Sequence, residues 1–100
     1  MADVLLTLVV PDDVAQDIED ILLSRPDLVR GFTSHAADGH GSLVRLVEAA
    51  ELVAGHTPRT LLQTAGDEAT MQAAMAVIKQ ALPRADIYFW LTPVIAMGRL

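Results

Sequence analysis

The chain of 100 residues contains no cysteine, so disulfides, thiolate metal ligation and a cysteine nucleophile are all excluded. It is also poor in positive charge. Seven Lys plus Arg stand against thirteen Asp plus Glu, for a formal net charge of -6, and Lys79 and the six arginines are scattered singly. Nucleic acid and anionic membrane surfaces demand clustered cations, so neither is an expected partner. No apolar run approaches the ~20 residues that cross a bilayer, and the opening "MADVLLTLVV" lacks the basic leader and long apolar core of a secretion signal. A cytoplasmic protein is expected.

What is abundant is apolar side chain, at 52% of the residues with only 20% charged. That balance belongs to a folded globular chain, and the length allows a single domain over residues 1–100. The hydrophobic period changes in a regular order. Val4 to Val10 is a nearly continuous apolar run, as in a strand covered on both faces. "PDDVAQDIEDILLS" then places Val14, Ile18, Ile21 and Leu22 on one helical face behind an acidic first turn, and Pro26 ends it. Leu28 to Ala37 reads as a second strand with Gly31 inside it. Arg59 to Ala65 reads as a third, "GDEATMQAAMAVIKQALP" as a second amphipathic helix, and "ADIYFWLTPVI" as a fourth strand rich in aromatic and β-branched residues.

The order β-α-β, long excursion, β-α-β is the α+β, ferredoxin-like βαββαβ plan, with both helices on one face of a four-stranded antiparallel sheet. The excursion from Asp38 to Pro58 far exceeds a hairpin loop. Its middle, "SLVRLVEAAELVAG", has Leu43, Leu46, Val47, Ala50 and Val53 at helical spacing, so a short helix is expected there with Ser42 and Gly55 at its ends. Two helices leave one sheet face uncovered. Since the first and last strands are apolar in both alternating sets, that face is expected to be buried by other copies, and Leu6 and Leu91 are the positions at which a charge is expected to break assembly or folding.

Candidate metal ligands are His35, His40 and His56, with Asp38, Glu48 and Glu51 nearby; imidazole and carboxylate suit a divalent transition metal. Their spacing matches no metal motif. His35 and His40 are read as lying across a turn, and Gly39 to Gly41 as the hinge where the excursion leaves the sheet. No catalytic residue is assigned: Thr33 and His35 share a strand face, but no third group completes a triad, so the chain is expected not to be an enzyme.

The "GFTS" strand running into the Gly39-His40-Gly41 turn, the long excursion, and the ending "DIYFWLTPVIAMGRL" resemble the PII-like group of trimeric signal proteins. Within it the chain is similar to a small bacterial family of unknown function whose genes often stand beside those for heavy-metal efflux pumps. The resemblance implies a homotrimer, a mobile T-loop in place of the excursion, and ligands in the clefts between subunits. It implies Thr33, Ser34, Gly39, His40, Gly41 and Arg99 as ligand-binding residues, and a protein partner, such as a metal-efflux component. The trimeric metal-tolerance protein CutA shares the architecture, which implies an alternative: an accessory protein that binds a divalent metal through His35, His40 and His56. The PII glycine-rich turn with its lysine is replaced by "ALPRADIYFW", where Pro83 has no N–H and Arg84 is the cation at hand, so ATP binding of the PII kind is not expected.

Overall fold

The computed structural model describes residues 2–40 and 57–100. Six elements follow one another: β1 (Asp3–Pro11), α1 (Asp12–Leu23), β2 (Thr33–Gly39), β3 (Thr57–Asp67), α2 (Glu68–Ala81) and β4 (Tyr88–Val94). The strands form one antiparallel sheet in the order β2-β3-β1-β4, and both helices pack on the central pair β1 and β3. This is the ferredoxin-like architecture expected from the sequence. The expected helix within the excursion lies outside the described residues.

Strand alternation assigns each residue of β1 to one of two layers. Val4, Leu6, Leu8 and Val10 face the helices and are buried with Ala15, Ile18 and Leu22 of α1, Leu62 of β3, and Met71, Ala74 and Ile78 of α2. The helix periodicity read from the sequence therefore supplies the inner face of each helix. Asp67 is both the last residue of β3 and the N-cap of α2. Its carboxylate accepts from the Thr70 backbone N–H at 3.0 Å and from the Thr70 hydroxyl at 2.6 Å. These bonds hold the Asp67 carboxyl below its ordinary pKa, the Thr70 hydroxyl contributing most.

Three boundaries differ from the sequence reading. The second strand starts at Thr33, not Leu28, because the chain makes a further turn after α1. The Leu28 and Val29 N–H groups donate to the Arg25 carbonyl at 3.0 and 2.9 Å, and Val29 turns into the core. Gly31 precedes the strand, and its carbonyl accepts from the Thr64 hydroxyl at 2.7 Å. At its far end β2 runs on through Asp38 and Gly39, which pair with Pro58 and Thr57, so β3 is correspondingly longer than Arg59 to Ala65.

The opposite sheet face carries no helix. Leu5, Thr7 and Val9 of β1 lie on it, with Arg59, Leu61, Gln63 and Ala65 of β3, Tyr88, Trp90 and Thr92 of β4, and Thr33, His35 and Ala37 of β2. Trp90 is 45% exposed there. The open apolar face inferred from the sequence is thus present, but Leu6 and Leu91 are the wrong positions to probe it. Both belong to the helix side, since Leu6 is paired between Thr64 and Leu91 and is completely buried. Leu5 and Val9 are the corresponding open-face positions.

Candidate functional site

β2 ends at Gly39 and β3 begins at Thr57, directly opposite one another, so the excursion departs from and returns to one end of the sheet. The register aligns Ala37, Arg59 and Pro11 across the strands at that end. Arg59 points to the open face yet is only 5% exposed. Its Nη2 lies 3.6 Å from Asp86 Oδ2, an ion pair too long for a hydrogen bond, and Asp86 Oδ2 is buried with no hydrogen-bond donor among the described residues. The guanidinium is thus withdrawn from water and carries an ion pair to Asp86. On the helix side of the same end, the Thr60 hydroxyl donates to Asp12 Oδ1 at 2.9 Å, tying β3 to the start of α1.

The turn between α2 and β4 closes this end. The Ala85 N–H donates to the Leu82 carbonyl at 3.2 Å and the Ile87 N–H to the Ala85 carbonyl at 3.1 Å. With the Leu82 N–H donated to the Ile78 carbonyl and Pro83 offering none, four of the six residues 82–87 have no N–H left for a phosphate.

Gly39 and His40 lie at this end of the sheet. Thr33 and Ser34 do not: they start β2, paired with Gln63 and Leu62, with Thr33 on the open face and Ser34 on the helix side. Arg99 follows β4, whose last residue Val94 pairs with Asp3 at the opposite end. The ten steps of β3 from Thr57 to Asp67 separate those ends by about 33 Å. Within one chain, therefore, the five described residues implied as ligand-binding do not converge, and Gly41 lies outside the described residues. His35 and His40 are not across a turn. β2 runs straight through His35 to Gly39, and an extended strand puts residues five apart at about 16 Å. His56 lies outside the described residues, and among those described no three His, Asp or Glu side chains are grouped to hold a metal.

Sequence reasoning missed Arg59 and Asp86. Arg59 was taken as one scattered cation, and the available signal was its place as the one charged residue in the strand read over Arg59 to Ala65. A cavity of about 450 Å³ also lies between α2 and β4 on the helix side, walled by Met75, Leu82 and Phe89 with Lys79 as the one charged lining residue. It exists because two helices cover only the central strands.

The sheet order and the one-sided helices define the ferredoxin-like α+β fold. The chain belongs to the family described as "protein of unknown function (DUF3240)", whose profile matches residues 1–100. Three solved structures share the fold. A DUF3240 family protein from Shewanella baltica OS155 superposes with a TM-score of 0.80 at 19% identity, covering 100% of this chain and 98% of that one. CPII, a nitrogen regulatory PII-like protein from Thiomonas intermedia K12 bound to ADP, AMP and bicarbonate, gives 0.71 at 14% identity, covering 100% and 97%. CutA1 from the psychrotrophic Shewanella sp. SIB1 gives 0.71 at 16% identity, covering 97% and 85%. No curated protein matches the chain. No described helix is long and apolar enough to cross a membrane.

Proposed function

We propose that this protein is a PII-like sensor, assembled as a homotrimer through its open sheet face, that binds a small anion at the Arg59 end of the sheet and reports it to a protein partner through residues 41–56. The observation that supports this reading is the ion pair of the buried Arg59 with Asp86 at the sheet end where β2 reaches Gly39. A ligand that takes up the guanidinium there alters the point from which the excursion leaves and to which it returns. The role is binding, with no catalytic step.

A carboxylate or bicarbonate suits the site better than a nucleotide. One buried guanidinium matches one planar oxyanion bidentately, whereas a chain of phosphates needs several amides and cations, and at 82–87 the Leu82, Ala85 and Ile87 N–H groups are already donated within the chain. The bicarbonate bound in CPII supports the anion class. The alternative, a CutA-like metal carrier using His35, His40 and His56, requires ligands from more than one copy, because His35 and His40 are too far apart along one strand. A role in heavy-metal resistance, with an efflux component as partner, is compatible with either ligand.

Equilibrium dialysis of the purified protein against bicarbonate, acetate, ADP, AMP and divalent Zn, Cu, Ni and Co tests the reading. Saturable binding of the small anions that outcompetes ADP and AMP is expected. Binding of a metal alone, abolished by His40→Ala and His35→Ala, would transfer the function to the alternative.

A further inference from the structure

The helices cover the sheet only at its centre, and β4 bears the consequence. Phe89 pairs with Leu8, so both point to the helix side, yet Leu8 is 3% exposed and Phe89 56%. The space that α2 leaves beside β4 is the cavity of about 450 Å³. That volume lies within the roughly 300–1,000 Å³ that small-molecule sites occupy. Its lining reaches the core at Leu8 and Ile78, both buried. Met75 and Leu82 line it from α2, and Ile87 and Phe89 from the other side.

Two polar side chains stand among these apolar ones, Gln72 and Lys79. They are seven residues apart on α2, so they share one helix face about 10 Å apart along its axis. No Asp or Glu lines the cavity, and Lys79 has no ion-pair partner among the described residues. The lining therefore asks for two things in one guest. A hydrocarbon body gains by covering Phe89 and the apolar walls, and one negative head gains by meeting the ammonium. A peptide suits the walls poorly, because each of its residues brings an N–H and a C=O for which apolar walls hold no partner. A doubly charged phosphate suits the rim poorly, because Lys79 is a single point charge without a guanidinium fork or a nest of amides.

We propose that the cavity between α2 and β4 is a separate ligand site for a small amphipathic monocarboxylate, with its hydrocarbon end against Leu8 and Phe89 and its carboxylate at Lys79. Arg59 points to the open face and the cavity lies on the helix side. The site therefore does not rest on the anion reading of Arg59, and the test separates the two.

Calorimetric titration of the full chain would use octanoate, held below the concentration at which it forms micelles. Octanol keeps the hydrocarbon and drops the charge; acetate keeps the charge and drops the hydrocarbon. Octanoate is expected to bind saturably, one per chain, and acetate not to displace it. Octanol is expected to bind about fivefold more weakly, the size of a partly exposed ion pair. Lys79→Gln, at an exposed position, should bring octanoate down to the level of octanol and leave octanol unchanged. Ala76→Trp, which fills the cavity from its exposed side, should abolish binding of both. Circular dichroism melts establish that the variants fold, and should Ala76→Trp not fold, the Lys79→Gln comparison decides alone. No saturable octanoate binding, equal affinity for octanoate and octanol, or unaltered octanoate binding in folded Lys79→Gln overturns the site. Octanoate binding lost in Arg59→Gln but kept in Lys79→Gln also overturns it, and assigns the carboxylate to the Arg59 end of the sheet.

Discussion

Replacing Leu6 by alanine tests the two-layer reading of β1 at its most sensitive point. Leu6 is completely buried, flanked across the sheet by Thr64 and Leu91, and lies in the core with Ile18, Met71 and Ala74. Truncation removes three heavy atoms from a place whose walls are anchored on paired strands, so little collapse can refill it, and the cost belongs in the upper part of the Leu→Ala range, about 3–5 kcal/mol. Against a domain stability of roughly 5–15 kcal/mol this is a large share. The midpoint of thermal unfolding should fall by about 12 °C or more. Urea unfolding followed by circular dichroism gives the free energy directly, compared at equal protomer concentration because assembly adds a mass-action term. The difference between Leu6→Ala and the parent should be the same after tenfold dilution of both, since Leu6 faces the helices and not another copy. A loss below about 1 kcal/mol, or one that changes with dilution, would refute the assignment of Leu6 to the inner layer.

Asp67→Ala should lower the melting temperature by releasing the N-terminus of α2, while Asp67→Asn should keep most of the cap. The Asp67 pKa is depressed in the folded state, so its contribution is present above the ordinary carboxyl pKa of about 3.9 and is lost as pH falls through the lower folded value. Both variants should therefore show a shallower loss of stability with acid than the parent, read from melts between neutral pH and pH 2. A parental acid slope in Asp67→Asn would contradict the capping role. His40→Ala should reduce anion binding while moving stability by less than about 0.5 kcal/mol, since His40 is exposed just beyond β2. Unfolding of that variant without any change in binding would make the residue structural.

The sheet and helices were legible because their hydrophobic periods are clean. Val14, Ile18, Ile21 and Leu22 repeat at helical spacing, and the nearly continuous apolar run of β1 set out a strand with side chains to bury on both faces. The start of β2 was not legible, because Leu28 and Val29 are apolar for a different reason: they plug the core from a turn whose N–H groups bond back to Arg25. The reach of β2 through Asp38 and Gly39 was hidden because both residues disfavour strands and are held there by pairing with β3. The same pairing straightened what was read as a turn between His35 and His40. The Arg59–Asp86 pair escaped because its partners are 27 positions apart, and only the return of β4 alongside β1 brings them together. Gly39 and His40 were placed correctly at the root of the excursion because glycine and length alone marked it.

Calorimetric titration of bicarbonate into the parent protein, Arg59→Gln and Asp86→Asn tests most directly whether the Arg59–Asp86 ion pair is the sensing site. Removing the guanidinium should abolish binding or weaken it by about tenfold or more. Removing the Asp86 negative charge while keeping the side chain's shape should strengthen binding, because a carboxylate no longer competes with the incoming anion for Arg59. Circular dichroism melts confirm that each variant is folded. Opposite changes in the two folded variants are the predicted result. Binding that is unaltered in both, or no saturable binding to the parent, would contradict the account.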